Sequence, residues 1–269
     1  MNDSHESPGF VLRGGALLLA SLAVALLSTA AEAAPAPSMV PLELVSRFTT
    51  YYPQGQPRVI NIRRAAALLD GTLLRPGDRF SLNERLGKRT RARGFVSAPS
   101  ISGPIHVDSI GGGVSQVATT IYNAAFFAGL RLIAHTPHSF YISRYPKGRE
   151  ATVSWGGPEL VFQNDWPAPL LVRMKTTPTS ITVWLYSRRL ARRVSTVTHA
   201  PTNYVRPRTV YIKDATLPPG TQRVLQSAGA SGFSISYTRR VFQDDSIRRA
   251  EFYSWTYSPE NRVIATAGH

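Results

Sequence analysis

The sequence predicts an α+β fold, a mixed domain with an antiparallel sheet packed on one buried, glycine-capped helix, followed by a small all-β C-terminal module. Three observations carry this prediction. Residues 114–128 are apolar around most of a helical circumference and lie between Gly111-Gly112-Gly113 and Gly129. Six short β-type runs follow at regular spacing, near residues 131–134, 140–144, 151–154, 160–162, 170–175 and 181–186, which favours hairpin connections over βαβ units. Beyond residue 188 almost every segment is β-type, with Gly220, Gly229 and Gly232 as turns.

From the N-terminus, Arg13 precedes an apolar run over residues 16–27, and Ala31-Glu32-Ala33 offers a small-residue cleavage site. Residues 1–33 therefore read as a signal peptide or membrane anchor, and the expected location is secreted or extracytoplasmic. Residues 34–47 are a Pro-rich spacer and a first strand, in which residues 42–48 alternate. Residues 48–187 form the α+β domain and 188–269 the C-terminal module. Val59 to Leu69 reads as a helix with Ile60, Ala65, Ala66 and Leu69 available for one face. Residues 72–108 are broken by Pro and Gly, and shape a groove beside the glycines. Residues 188–207 read as a linker or strand entry.

Composition excludes several classes of chemistry. There is no cysteine, so disulfides and a cysteine-linked lipid anchor are ruled out. His135 and His138 are three apart, which on a strand places them on opposite faces, and Asp244-Asp245 reads as a turn; no metal or other cofactor is expected. The chain carries a net charge of +15, and without residues 1–33 it would hold 30 basic against 13 acidic side chains, a net +17. The charge is clustered at residues 85–93, 188–193, 239–240 and 248–249. No nucleic-acid-binding motif accompanies it, so the expected partners are anionic wall polymers or lipid headgroups, with a solvated basic surface as the plain alternative.

The candidate site centres on Gly111-Gly112-Gly113-Val114-Ser115-Gln116. Three glycines permit positive φ and close approach, and the amides of the following helix face any anion in that space. Ser115 is read either as the helix N-cap or as a nucleophile. The second reading takes His138 as base and Glu150 as the orienting acid, an order of parts found in papain-like peptidases. Gln116, Thr120 and Asn123 form a polar stripe on the helix; as buried amides, Gln116 and Asn123 either pin adjacent loops or reach a ligand. Arg89 and Arg91 are expected to supply a cationic rim.

In order along the chain, Asn61-Ile62, residues 76–83, residues 87–90 with Gly94-Phe95, the glycine motif, Tyr122-Asn123-Ala124, His138-Ser139, Tyr145-Pro146, Ala151-Thr152-Val153 and Phe162 with Asn164 resemble the VanW family over residues 48–187. The family is named for a member of a vancomycin-resistance gene cluster. The commoner family pattern has cysteine at position 115 and aspartate at 150. The resemblance implies a bacterial cell-envelope protein. The expected function is binding of peptidoglycan, its precursors or another anionic wall polymer, with a possible membrane tether; the alternative is acyl transfer or hydrolysis of wall peptides by Ser115, His138 and Glu150.

Overall fold

A computed structural model describes residues 41–102 and 105–267, and these form one compact unit. The expected leader and spacer up to residue 40 lie outside the described residues. In chain order the elements are β1 (Glu43–Tyr51), α1 (Arg58–Leu69), β2 (Thr72–Leu74), β3 (Arg79–Ser81), α2 (Leu82–Leu86), β4 (Ser97–Ser102), β5 (Ile105–Ile110) and α3 (Val114–Phe127). Then come β6 (Arg131–Ala134), β7 (Val161–Gln163), β8 (Leu170–Thr176), β9 (Ser180–Ser187), β10 (Arg192–Thr198), β11 (Thr202–Val205) and β12 (Thr209–Asp214). The chain ends with β13 (Gln222–Gln226), β14 (Gly232–Gln243), β15 (Ser246–Tyr257) and β16 (Arg262–Ala267).

The expected mixture of helices with mainly antiparallel sheets is present. A four-stranded antiparallel sheet, β1-β9-β8-β2, packs one face against α1 and α3. Ile181, Val183 and Leu185 of β9 point into this core while Thr182, Trp184 and Tyr186 point away, the period-2 pattern of a half-covered sheet. β3-β7-β6 form a second sheet and β4-β5 a separate hairpin. Two of the six expected runs after α3, residues 140–144 and 151–154, form no strand. The second bonds side chains of α3 in place of a strand.

In the C-terminal region β10 and β11 share one edge of the long strand β14, and β15 takes the other. The basic segment after residue 188 is thus strand, its alternation masked by exposed arginines. Asp244 and Asp245 both have positive φ, 48° and 62°, as a two-residue hairpin turn between β14 and β15 requires. β12 and β16 pair in parallel, which a 47-residue separation between the strand ends permits.

This region is joined to the rest of the molecule at the C-terminal end of α3. That helix ends in a Schellman motif: Gly129, at φ 69°, donates to Phe126 O and Leu130 N donates to Ala125 O. No cation occupies its last turn. Three arginines arrive instead from the C-terminal strands. Arg239 of β14, fully buried, donates to Phe126 O at 2.7 Å and Leu130 O at 3.1 Å. Arg192 and Arg249 both donate to Gly129 O. Asp165 and Glu251 supply the counter-charges, at 3.0 Å from Arg192 and 2.6 Å from Arg239. Cations are favourable at a helix C-terminus, and burial removes the water that would otherwise screen them.

Replacing Arg239 with Met removes the charged donor from Phe126 O, Leu130 O and Glu251. The expected loss is about 3–5 kcal/mol in urea denaturation. Arg240→Met, at the exposed neighbouring position, is expected to stay within about 0.5 kcal/mol of the parent.

Candidate functional site

α3 is buried on nearly all sides, so each of its polar side chains needs a protein partner. They divide into two rows. Gln116 donates to Thr50 Oγ1 and Tyr51 O of β1 and accepts from Arg58 Nη2, while Thr120 bonds Thr50 at 2.7 Å. The second row is Ser115, Thr119 and Asn123. Val153 N donates to Ser115 Oγ at 3.2 Å, Ala151 N to Thr119 Oγ1 at 3.0 Å, and Asn123 Nδ2 to Arg149 O at 2.8 Å. The repeats match. Four residues of helix advance about 6 Å and two residues of extended chain about 6.6 Å. Residues 149–153 therefore run extended along α3 and bond helix side chains in place of a neighbouring strand.

These bonds correct two expectations. Ser115 is not the N-cap: Gly113 holds that position, at φ 96°, with no side-chain cap, and Ser115 lies inside the helix. Thr120 and Asn123 line no ligand space; they fasten β1 and the 149–153 segment.

The glycines serve backbone packing. A Cβ on Gly112 would lie 2.1 Å from Ala98 O of β4, and one on Gly113 2.9 Å from Arg58 Cβ. Asn61 holds the turn from below, donating to Gly112 O and Val96 O, both at 2.9 Å, and accepting from Val96 N. Gly111 abuts the Arg89 side chain. Of the three glycines only Gly113 reaches the adjacent cleft.

That cleft, about 640 Å³, lies between the β4-β5 hairpin, the start of α3 and the 138–145 segment. Ser115, Gln116 and His138 line it, whereas Glu150, Arg89 and Arg91 do not. Arg89 donates to Asn83 Oδ1 at 2.6 Å and to Gly87 O, which ties down the α2 loop, and Arg91 is exposed on a 3-10 turn (Arg91–Arg93). The cleft's cations are Arg58 and Arg144. Neither stands in a basic cluster of the sequence, so charge counting gives no sign of them; Arg58 opens α1 and Arg144 precedes the Tyr145-Pro146 turn.

Electrostatics in the cleft disfavour a Ser-His-Glu relay. His138 is 6% exposed, and burial with the nearby Arg58 and Arg144 charges lowers its pKa to about 4. No hydrogen bond links it to Ser115, and its Nδ1 has no partner. Glu150 is held elsewhere: Tyr257 Oη of β15 donates to the carboxylate at 2.7 Å, and burial raises its pKa to about 7. Arg58 Nε and Thr152 Oγ1 are likewise buried without partners beside the cleft. Neither Arg58 nor Arg144 has an ion pair among the described residues, and each lowers the protonation of His138. No group of three or more potential metal ligands occurs among the described residues.

Residues 57–186, from the start of α1 to the end of the main sheet, match the family described as VanW like protein. The chain is VanW-like over that region. The VanW-like match contains every residue of the cleft contributed by α1, the β4-β5 hairpin, α3 and the 138–158 segment, and leaves out β1 and the strands from β10 onward. The uncharacterized protein YoaR of Bacillus subtilis (strain 168) is 38% identical over 144 residues, covering 53% of this chain. The chain spans about half, 48%, of that relative's length. Two solved G5 domains, HP0197-G5 and that of an IgA1 protease, are each 18% identical. They cover 29% and 30% of this chain and 99% and 90% of their own, with TM-scores of 0.15 and 0.16, too low to support an argument.

Glu150 yields a pH test. Its folded pKa, about 7, lies above the ordinary carboxylate value of 4.5, so the folded state holds a proton that the unfolded state releases. Its contribution is complete below pH 4.5 and is lost as pH rises through 7. The melting temperature is expected to fall across that interval, and Glu150→Gln to flatten the decline, as read by calorimetry at pH 5, 6, 7 and 8.

Proposed function

We propose that this VanW-like protein is a secreted or membrane-tethered component of the cell envelope that binds peptidoglycan or its precursors, with a wall-peptide carboxylate seated in the cleft. One observation carries this reading. Arg58 Nε, His138 Nδ1 and Thr152 Oγ1 are buried polar atoms without partners on one cleft, beside Arg144, which has no ion pair among the described residues. Unpartnered buried donors are costly, and a carboxylate satisfies them by charge-assisted bonds. Among the described residues Glu260 is the one carboxylate that lines the cleft, and it accepts from Ala230 N at 3.1 Å with His106 at 3.9 Å.

In this reading Ser115 orients the 149–153 segment through Val153 N and contributes a hydroxyl to the cleft wall. The acyl-transfer alternative requires His138 to accept the Ser115 proton, and an imidazole held near pKa 4 by burial and two arginines is a weak base at neutral pH.

Titration of muropeptides into the protein, with product masses followed in parallel, separates the readings. Arg144→Gln is expected to weaken binding by about tenfold to a hundredfold. Ser115→Ala is expected to retain binding, with no product formed by either protein. Turnover that disappears in Ser115→Ala would establish the enzyme, and unchanged affinity in Arg144→Gln would remove the cleft as the binding site.

A further inference from the structure

The outward face of the main sheet is independent of the cleft. Cross-strand register aligns its side chains in rows: Leu44, Tyr186 and Leu171 with Leu73, then Arg47, Trp184 and Arg173, then Thr49, Thr182 and Lys175. Helices α1 and α3 cover the opposite face, and nothing among the described residues covers this one. Leu73 is 55% and Leu44 44% exposed. A groove of about 600 Å³ runs along the face between Leu42, Trp184 and Tyr186. Arg47 and Lys175 are exposed and have no ion pair among the described residues, Arg173 pairs with Asp70 at 2.9 Å, and Glu43 lies exposed at the start of β1.

We propose that this face docks on a bilayer bearing anionic headgroups. Leucines beside Trp and Tyr, flanked by long cationic side chains, suit the boundary between acyl chains and headgroups: the apolar bodies enter and the charges remain at phosphate level. Chain connectivity gives a second argument. The apolar run in the sequence ends at Leu27, and Leu42, which lines the groove, follows after 14 residues. Fourteen residues span at most about 50 Å. An apolar run held in the membrane keeps this face within that distance of it, so the docking surface lies where the tether delivers it.

The test uses the chain from Ala34, whose described residues hold their own core, so that the leader contributes nothing. Co-sedimentation with vesicles of phosphatidylcholine and phosphatidylglycerol (3:1) is expected, with none on phosphatidylcholine alone. The double variant Arg47→Glu, Lys175→Glu alters only exposed positions and is expected to bind at least tenfold more weakly. The matched reversal Arg188→Glu, Arg189→Glu is expected to lose much less. Brominated lipid is expected to quench tryptophan fluorescence in the parent and distinctly less in Trp184→Phe. Equal losses in the two double variants, or quenching unaffected by Trp184→Phe, would overturn the assignment. So would loss of binding to purified wall polymer, with vesicle binding intact, in the first variant. Arg144→Gln, which tests the cleft, is expected to sediment with vesicles like the parent, so the two sites succeed or fail separately.

Discussion

A helix that is buried on nearly all sides and yet polar along two rows imposes a single constraint on its neighbours: they must bring hydrogen-bonding groups to it. α3 is that helix. Gln116 and Thr120 fix β1, which the chain enters long before α3. Ser115, Thr119 and Asn123 fix an extended segment that follows it. The cleft sits where these two attachments diverge at the start of the helix, between the hairpin β4-β5 and residues 138–145. Its shape is thus a consequence of how α3 is satisfied. The glycines before the helix belong to the same scheme, because they let the backbones of β4 and α1 come close enough to seal its N-terminal end.

At the other end of α3 the problem is electrostatic. Unpaired carbonyls in an apolar interior attract cations, and the C-terminal strands supply three. Arg192, Arg239 and Arg249 each come from a different basic cluster of the sequence, and each cluster keeps its remaining arginines outside. A large net positive charge is therefore only partly a surface property here. Part of it is structural, neutralised by Asp165, Glu251 and helix carbonyls. The Glu150 to Tyr257 bond adds a further attachment between the cleft domain and β15, which explains why an acid expected beside His138 faces another way.

Much of the fold was legible in local pattern. The α1 and α3 helices, with strands β6, β8 and β9, follow from periodicity and from glycine at helix ends, and residues 57–186 match the family that the ordered motifs suggested. The 151–154 run was illegible as a non-strand because its residues do have extended backbone; what they lack is a strand partner, having taken helix hydroxyls instead. Within the candidate site, Ser115 and His138 were recognisable by residue type and do line one cleft. Arg58 and Arg144 carried no such sign, since a lone arginine in a sequence looks the same whether it faces solvent, a helix end or a ligand.

The sequence by itself determined helices α1 and α3, most of the strands, the turns that need glycine or paired aspartates, the absence of disulfide chemistry and the likeness to the VanW-like family. Tertiary structure alone decided what each polar side chain is for. Ser115 is an acceptor for Val153, Glu150 a partner of Tyr257, Arg89 a loop tie, and Arg239 a helix cap. The reason is physical: backbone conformation responds to neighbours a few residues away, whereas the role of a buried polar group is set by whichever group, often more than a hundred residues distant, is brought within about 3 Å of it.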